Sequence, residues 1–413
     1  MLFSVQPHSA LREPLYRRYF LASCLGTLAS WMVRFSLGWL AWDLTHTVFW
    51  VGVASAGMLL PTFLLSPIFG VLSDRFNPRN GLLVTTVSQA VVAGLVALAM
   101  ALGLFSLPVL LVASVLVGAV SAAHHPIRLA FIPRIVGRQA LPSAIGLSAT
   151  MFNTSRVLGP ALSGALIANA SVVFTLLFAT AAYLASTFAL TRVKLDYQPS
   201  TAQRKSILAE LLEGIRASAG HPAIRLILLL TVFNGLLGRT LLELLPALSG
   251  KLLGGSASEL AWLTAAAGVG SIIGGLMIAR LRDNHGLLFR IAIAGMAVAA
   301  VSLVPLYMAA QLWLLALLVG VVSLVTTVTG ISSQSLAQLT VADDMRGRVM
   351  SLWAVCSMGS PAIGTFVVGA VADHVGFATT LNAMAALALV ALLWVWLPVR
   401  RQIRRAQAVN PSA

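Results

Sequence analysis

Along the chain, long continuous apolar runs are separated by short polar breaks, and the runs show no alternation with period two. Reading runs and breaks gives segments 18–43, 48–72, 81–102, 107–130, 140–168, 171–191, 223–248, 258–280, 287–309, 311–338, 348–372 and 376–398. A helix needs roughly 20 apolar residues to cross a hydrocarbon core, and each run supplies about that length. Only helices and closed barrels satisfy their backbone in lipid, and barrel strands would alternate apolar and polar positions. The pattern therefore predicts an all-α membrane protein with twelve transmembrane helices. An even number of spans returns the chain to the side where it began.

The longest polar break, Arg192 to His221, parts the runs into two sets of six. The expected organisation is a six-helix bundle over 1–191, a linker over 192–221, a second six-helix bundle over 222–398 and a basic tail over 399–413. Within the linker, Ile207, Leu208, Leu211, Leu212 and Ile215 fall at helical spacing among charged residues, as in an amphipathic helix lying on a membrane surface. The halves also echo one another. Gly70 and Gly275 lie 205 residues apart, and so do Arg34 and Arg239, which points to duplication of a six-span unit. The copy is imperfect, because Asp74 corresponds to Ala279 while Arg75 corresponds to Arg280.

Composition sharpens the class. With 59% hydrophobic and 9% charged side chains over 413 residues, and a mean hydropathy of +0.92, a soluble globule is excluded. The formal net charge of +15 would point to nucleic acid in a soluble protein. Here placement decides otherwise: with a cytoplasmic N-terminus, all of the 27 Lys and Arg except Arg34, Arg156, Arg239 and Lys251 fall in or beside cytoplasmic segments. That is the positive-inside pattern, so the charge orients the chain and no nucleic-acid partner is expected. Membrane lipid is the expected partner of the charged tail, through Arg400, Arg401, Arg404 and Arg405. Both termini are expected in the cytoplasm.

Cys24 and Cys356 sit inside apolar runs, with neither a disulfide framework nor metal-ligand spacing. Arg12, Arg17 and Arg18 precede a first run long enough to span, and no small-residue cleavage site follows it, so the first span is its own targeting signal. No phosphate loop is present, Asp343 and Asp344 lie beside two arginines, and a break of about thirty residues is too short for an ATPase domain. The sequence therefore predicts no enzyme, no metal and no cofactor.

The loop GVLSDRFNPR, Gly70 to Arg79, follows the second run, and with the run count and central loop it resembles the major facilitator superfamily, whose loop signature carries a glycine, then Asp-Arg, then a further base. SRVLGPALSG, Ser155 to Gly164, is similar to the Gly-Pro antiporter motif of exporter branches of that superfamily. HHPIRLAFIPRIV from His124, MRGRVMSLW from Met345 and GAVADHVG from Gly369 look most like the enterobactin-exporter-like branch of bacterial efflux proteins, with multidrug exporters close to it. The resemblance implies a monomeric secondary transporter with two bundles around a cavity. It also implies a latch in which Gly70, Asp74, Arg75 and Arg79 meet Arg346 and Arg348 at the start of span 11, and Arg128 or Arg134 at the end of span 4. Here Phe76, Asn77 and Pro78 replace the usual glycine and base, and the second half lacks the acid. Gly159, Pro160 and Gly164 would form a bent, closely packed seam, since proline removes a backbone bond and glycine lets a neighbour approach.

Ionisable groups inside spans cost at least about 2.5 kcal/mol on insertion scales and so face a cavity or a partner. Arg239 and Glu243, spaced i,i+4, can pair, and a carboxylate held between pairing and burial suits a proton carrier. Arg34 and Arg156, with Asn153 one turn before the latter, have no acid at their depth; Asp43 lies about 13 Å along the helix from Arg34. Arginine suits carboxylate and phenolate oxygens through bidentate contact, which makes these residues, with Arg239, candidates to hold an anionic substrate. Trp31, Phe35, Trp39 and Phe152 would add aromatic surface. His124 is a candidate proton relay, and His125, its neighbour, must point to another face. The expectation is proton-coupled export of an amphipathic anionic small molecule, a siderophore or drug, by alternating access. A symporter or lipid-like substrate flippase of the same fold, and a non-transporting receptor or assembly factor, are the alternatives.

Overall fold

The structure, a computed structural model, describes residues 9–72, 77–193, 221–279, 285–306, 308, 311–341 and 343–409, with side chains described at all of these but 67, 70–72, 285, 343–348, 351 and 394–409. Every expected span contains helix. They are α1 (Pro14–Thr45), α2 (Val48–Leu72), α3 (Pro78–Ala101), α4 (Leu107–Ile135), α5 (Leu141–Asn169), α6 (Val172–Thr191) and α7 (Pro222–Asn234). After a π-helical turn, Gly235–Arg239, come α8 (Thr240–Glu243), α9 (Leu245–Leu253), α10 (Ala257–Ala279), α11 (His285–Leu306), α12 (Leu312–Thr340), α13 (Asp343–Val375) and α14 (Phe377–Val409). Local chemistry sets their starts. Proline stands in the first turn of α3, α4, α5 and α7, where no amide is needed. Asn77 caps α3 by accepting from the Arg79 amide at 3.0 Å, and Ser171 caps α6 by accepting from Phe174 at 3.1 Å.

Among the described residues, ten helices are long and apolar enough to cross a membrane. The expected twelve differ from these at two places. α5 has 29 residues but carries Ser148, Asn153, Ser155 and Arg156 through its middle, and in the last helix the residues with described side chains end at Leu393, leaving an apolar stretch of Phe377–Leu393. Large side chains such as Leu95, Phe188, Leu317 and Leu387 are exposed, as the lipid-facing surface of a membrane protein requires.

Contacts divide the chain into two compact units: one from Met1–Leu44 and Leu60–Gln203, the other from Thr45–Leu59 and Arg204–Ala413. The second therefore includes the first half of α2. In the first unit, α3 packs against both α4 and α6, around a core that includes Tyr16, Tyr19, Leu82 and Phe131. In the second, α11 packs against both α12 and α14, around Ile227, Leu230, Phe289 and Leu336. These pairings are the same pairings in the sixfold numbering of each half.

The duplication is visible in single hydrogen bonds. Thr62 Oγ1 donates to Gly118 O at 3.1 Å and Ser66 Oγ to Ala122 O at 3.4 Å, joining α2 to α4. Ser323 Oγ donates to Ala267 O at 2.6 Å and Thr327 Oγ1 to Ser271 Oγ at 3.0 Å, joining α12 to α10. Each of the four positions in the first pair of helices lies 205 residues before its counterpart in the second, with the donating helix exchanged.

The expected single helix over 223–248 is broken. A Cβ at Gly235 would overlap the Ser360 hydroxyl of α13, and one at Gly238 the Thr326 hydroxyl of α12, so the backbone comes close where neither neighbour leaves room. Thr240 closes the turn twice on one carbonyl, its amide and its hydroxyl, the latter at 3.0 Å, both donating to Gly235 O.

Candidate functional site

In the first unit, Trp31 and Arg34 lie one turn apart on α1, and Phe152 and Arg156 one turn apart on α5. Gly159 brings the two helices together: a Cβ there would stand 2.6 Å from Trp31 Cβ and 3.4 Å from Leu28 O. The close crossing seats the Trp31 and Phe152 rings edge to face, with centroids 5.6 Å apart. The Arg34 and Arg156 guanidinium carbons stand 5.9 and 5.8 Å from the Trp31 ring centroid. At that range each cation–π contact is worth about 0.5–1 kcal/mol, less than the cost of a cation in a span, so these contacts orient the arginines without offsetting their burial. Trp31, Arg34, Asn153 and Arg156 are half-buried, and Phe152 is 39% exposed. Asn153 donates Nδ2 to its own helix at Ala149 O, 3.0 Å, which leaves the amide oxygen. Phe35 is buried and serves the packing of α1, and Trp39 is half-buried. Pro160 and Gly164 are buried on α5, which runs through Pro160 without interruption.

At the other end of this unit, Arg79 is bound to the end of α6. Its Nη2 donates to Thr191 O, the last carbonyl of α6, at 2.9 Å and its Nε to Val193 O two residues beyond, at a helix end where a cation is favoured. Adjacent histidines part as helix geometry demands. His124 lies inward with Nδ1 2.9 Å from Thr85 Oγ1, and His125 is exposed. Arg128 is half-buried, and its Nε makes no hydrogen bond among the described residues; Arg134 is exposed. Gly70 falls in the last turn of α2 and Gly275 in the last turn of α10. Asp74, Arg75 and Arg280, the side chains of Arg346 and Arg348, and the linker segment 194–220 lie outside the described residues.

In the second unit, the π-helical turn ends at Arg239, and a single α-turn carries Glu243 before the chain bends at Leu244. Both side chains are half-buried. Asn234, just before the π turn, donates Nδ2 to Thr326 O at 3.2 Å, and the Glu243 carbonyl accepts from Ser55 Oγ at 3.1 Å. The widened turn thus sits between α12, α13 and the first half of α2, aiming Arg239 and Glu243 from a locally irregular backbone.

Sequence reasoning quoted GAVADHVG without assigning its acid a role. Asp373, near the end of α13, accepts from the Val48 amide at 3.1 Å and from the Phe49 amide at 2.8 Å, so it caps the first turn of α2 with both oxygens. Below the clasp the backbones nearly touch. A Cβ at Gly52 would overlap Thr365 O, and one at Gly369 would stand 3.0 Å from Val48 O. Phe49 packs on Phe366 with centroids 5.9 Å apart. The available signal was an acid near the end of a span.

Comparison with known proteins places the chain. The profile of the family described as transmembrane secretion effector, MFS_3, matches residues 5–413. The staphyloferrin A transporter of Staphylococcus aureus (strain NCTC 8325 / PS 47) is 23% identical over 399 residues, 94% of this chain and 96% of that protein. The enterobactin exporter EntS of Shigella boydii serotype 18 (strain CDC 3083-94 / BS512) is 26% identical over 371 residues, 86% of this chain and 85% of that protein. Among solved structures, a bacterial homologue of the human lysosomal transporter Spinster superposes with a TM-score of 0.69 at 15% identity, over 94% of this chain and 98% of that one, a likeness of fold alone. With its family matched over nearly all its length and its helices long and apolar enough to span, the chain belongs to the transmembrane secretion effector family of the major facilitator superfamily and is a multi-pass membrane transporter, not an enzyme.

Proposed function

We propose that this transporter exports an amphipathic, anionic small molecule across the bacterial cytoplasmic membrane in exchange for protons. The observation that carries the reading is the α1–α5 cluster, in which two guanidinium groups flank one indole beside an exposed phenyl ring. Guanidinium forks hold carboxylate, catecholate or phenolate oxygens, and the Trp31 and Phe152 rings give the apolar part of the same molecule a surface. Relatives named for staphyloferrin A and enterobactin support a siderophore as the first class to test, with drugs as the second. Arg34, Asn153 and Arg156 bind the substrate, and Glu243, on the turn after the π-helical segment, carries the proton. Asp74 takes the gating role that the resemblance of its loop implies. Both termini are cytoplasmic by the distribution of Lys and Arg.

Inside-out vesicles with an imposed pH gradient test this directly. Staphyloferrin A or enterobactin should accumulate while the gradient dissipates. Arg156→Ala should reduce uptake at least tenfold, because it removes a charge-assisted contact worth about 1.5–3 kcal/mol. Glu243→Gln should retain ligand binding and lose gradient-driven accumulation. Uptake indifferent to both substitutions would remove the reading.

A further inference from the structure

Between α1, α3, α4 and α6 lies a cavity of about 20 Å³, lined by Tyr19, Ser23, Gly26, Thr27, Leu82, Thr86, His124, Ser186 and Leu190. Its walls carry an unusual amount of polar chemistry for a span interior, and their hydrogen bonds can be followed one proton at a time. Tyr19 is 2% exposed; Ser23, one turn on along α1 and also in the cavity wall, is the polar neighbour of its hydroxyl, which has no partner in good hydrogen-bond geometry among the described residues. The Thr86 hydroxyl spends its only hydrogen on Leu82 O at 2.7 Å, and the Ser186 hydroxyl spends its own on Ala22 O at 2.7 Å. Both oxygens are left as acceptors.

His124 follows the same logic. Thr85 Oγ1 lies 2.9 Å from Gly81 O and 3.1 Å from Leu82 O, and a carbonyl can only accept, so the threonine hydrogen goes to its own helix. With that hydrogen on its own helix, the 2.9 Å contact between Thr85 Oγ1 and His124 Nδ1 is served by the tautomer that carries the ring proton on Nδ1. Nε2 is left as an acceptor on a ring that lines the cavity.

We propose that this cavity is a binding site for a single water molecule, which accepts from the Tyr19 hydroxyl and donates to His124 Nε2 and to the Thr86 or Ser186 oxygen. The walls present the Tyr19 hydrogen, acceptors at His124, Thr86 and Ser186, and the Ser23 and Thr27 hydroxyls, and water, with two hydrogens and two lone pairs, can join donors and acceptors in that set. The volume suffices, since a water needs about 10–15 Å³ of such space. A metal cation does not fit. The walls hold no carboxylate, no group of three His, Cys, Asp or Glu able to hold a metal is found among the described residues, and Arg128 stands one turn from His124 on α4. The bound water completes a chain of hydrogen bonds from Thr85 through His124 to Tyr19. It ties α3, α4 and α1 at one level, and gives His124 a fixed tautomer inside the span.

Two measurements on the purified full-length transporter decide. In X-ray radiolytic labelling after brief mixing into H2-18O, Tyr19 should be modified, and should take up the heavy isotope more slowly than exposed tyrosines, as a residue beside a trapped water does. An unlabelled Tyr19 overturns the proposal. In thermal denaturation, Tyr19→Phe should lower the melting temperature by about 2–4 °C, because a bridging water loses its donor. In a dry cavity the same change would remove an orphaned hydroxyl and leave the melting temperature unchanged or higher, which overturns the proposal. If Tyr19→Phe does not express, the labelling of the wild-type protein decides alone.

Discussion

Asp373 offers the sharpest test, because its partners are two amides that can be read individually. The first four amides of any helix have no acceptor within it, and in α2 those of Val48 and Phe49 are met by the Asp373 oxygens at 3.1 and 2.8 Å. Asp373→Ala removes both acceptors and the favourable charge at the helix start. Loss of a side-chain cap costs about 0.5–2 kcal/mol, and because Asp373 is exposed its charge is screened, so about 1 kcal/mol is the expected figure. That corresponds to about fivefold in an opening equilibrium. Hydrogen–deuterium exchange should therefore quicken about fivefold at Val48 and Phe49, with residues 60–72 of the same helix unchanged. Asp373→Asn, which keeps one carbonyl acceptor and loses the charge, should fall between. Unchanged exchange at the two amides in Asp373→Ala would refute the clasp. A uniform rise across all helices would refute it too, since it would mean general destabilisation in place of a local cap.

Gly159→Ala should disturb the α1–α5 crossing, because its Cβ would lie 2.6 Å from that of Trp31; a loss of about 1–3 kcal/mol and a shifted Trp31 emission are expected from chemical denaturation followed by fluorescence in a single-tryptophan background. Arg79→Gln should quicken amide exchange at the end of α6, around Thr191 to Val193, by two- to threefold, since Arg79 is half-buried and its contacts with Thr191 O and Val193 O are partly screened.

Much of the fold was legible because the membrane imposes a simple code. A run of apolar residues long enough to cross must be a helix, so the twelve runs and the helices coincide within a few residues at most ends. The break at Gly235–Arg239 was not legible. A π-helical turn arises from where Ser360 and Thr326 stand on other helices, and Gly235 and Gly238 look like ordinary small residues in a span. The candidate site was legible in part. Charge inside a span is conspicuous, so Arg34, Arg156, Arg239 and Glu243 stood out, and the first two do meet at one indole. Asp373 did not stand out, because its partners are backbone amides, and every residue but proline carries one. Asp74 drew attention through a motif, yet it lies outside the described residues. The buried cavity was invisible for a similar reason: Tyr19, Thr86 and Ser186 are common span residues, and only their hydrogen-bond arithmetic sets them apart.

The weak internal repeat has a physical explanation that can itself be tested. At the α2–α4 seam the hydroxyl is on α2, at Thr62, facing the carbonyl of Gly118; at the α10–α12 seam it is on α12, at Ser323, facing the carbonyl of Ala267. The seam needs one hydroxyl and one small residue at each level, and either helix can supply either. Selection on the contact therefore lets the residues at both positions change together, and the likeness between halves fades while the geometry persists. Thr62→Ala should cost about 0.6 kcal/mol, the mean for hydrogen bonds between helices in a bilayer, and no more than about 1.7. Gly118→Ser alone should cost about 1–3 kcal/mol by crowding Thr62. The double substitution recreates the arrangement of the second unit, with serine donating to the carbonyl of residue 62. It should be more stable than the sum of the two changes by at least about 0.5 kcal/mol, a coupling that thermal denaturation of the four proteins measures as a double-mutant cycle. Strict additivity would mean that the two seams resemble each other by accident of spacing, and that the offset of 205 residues carries no shared contact.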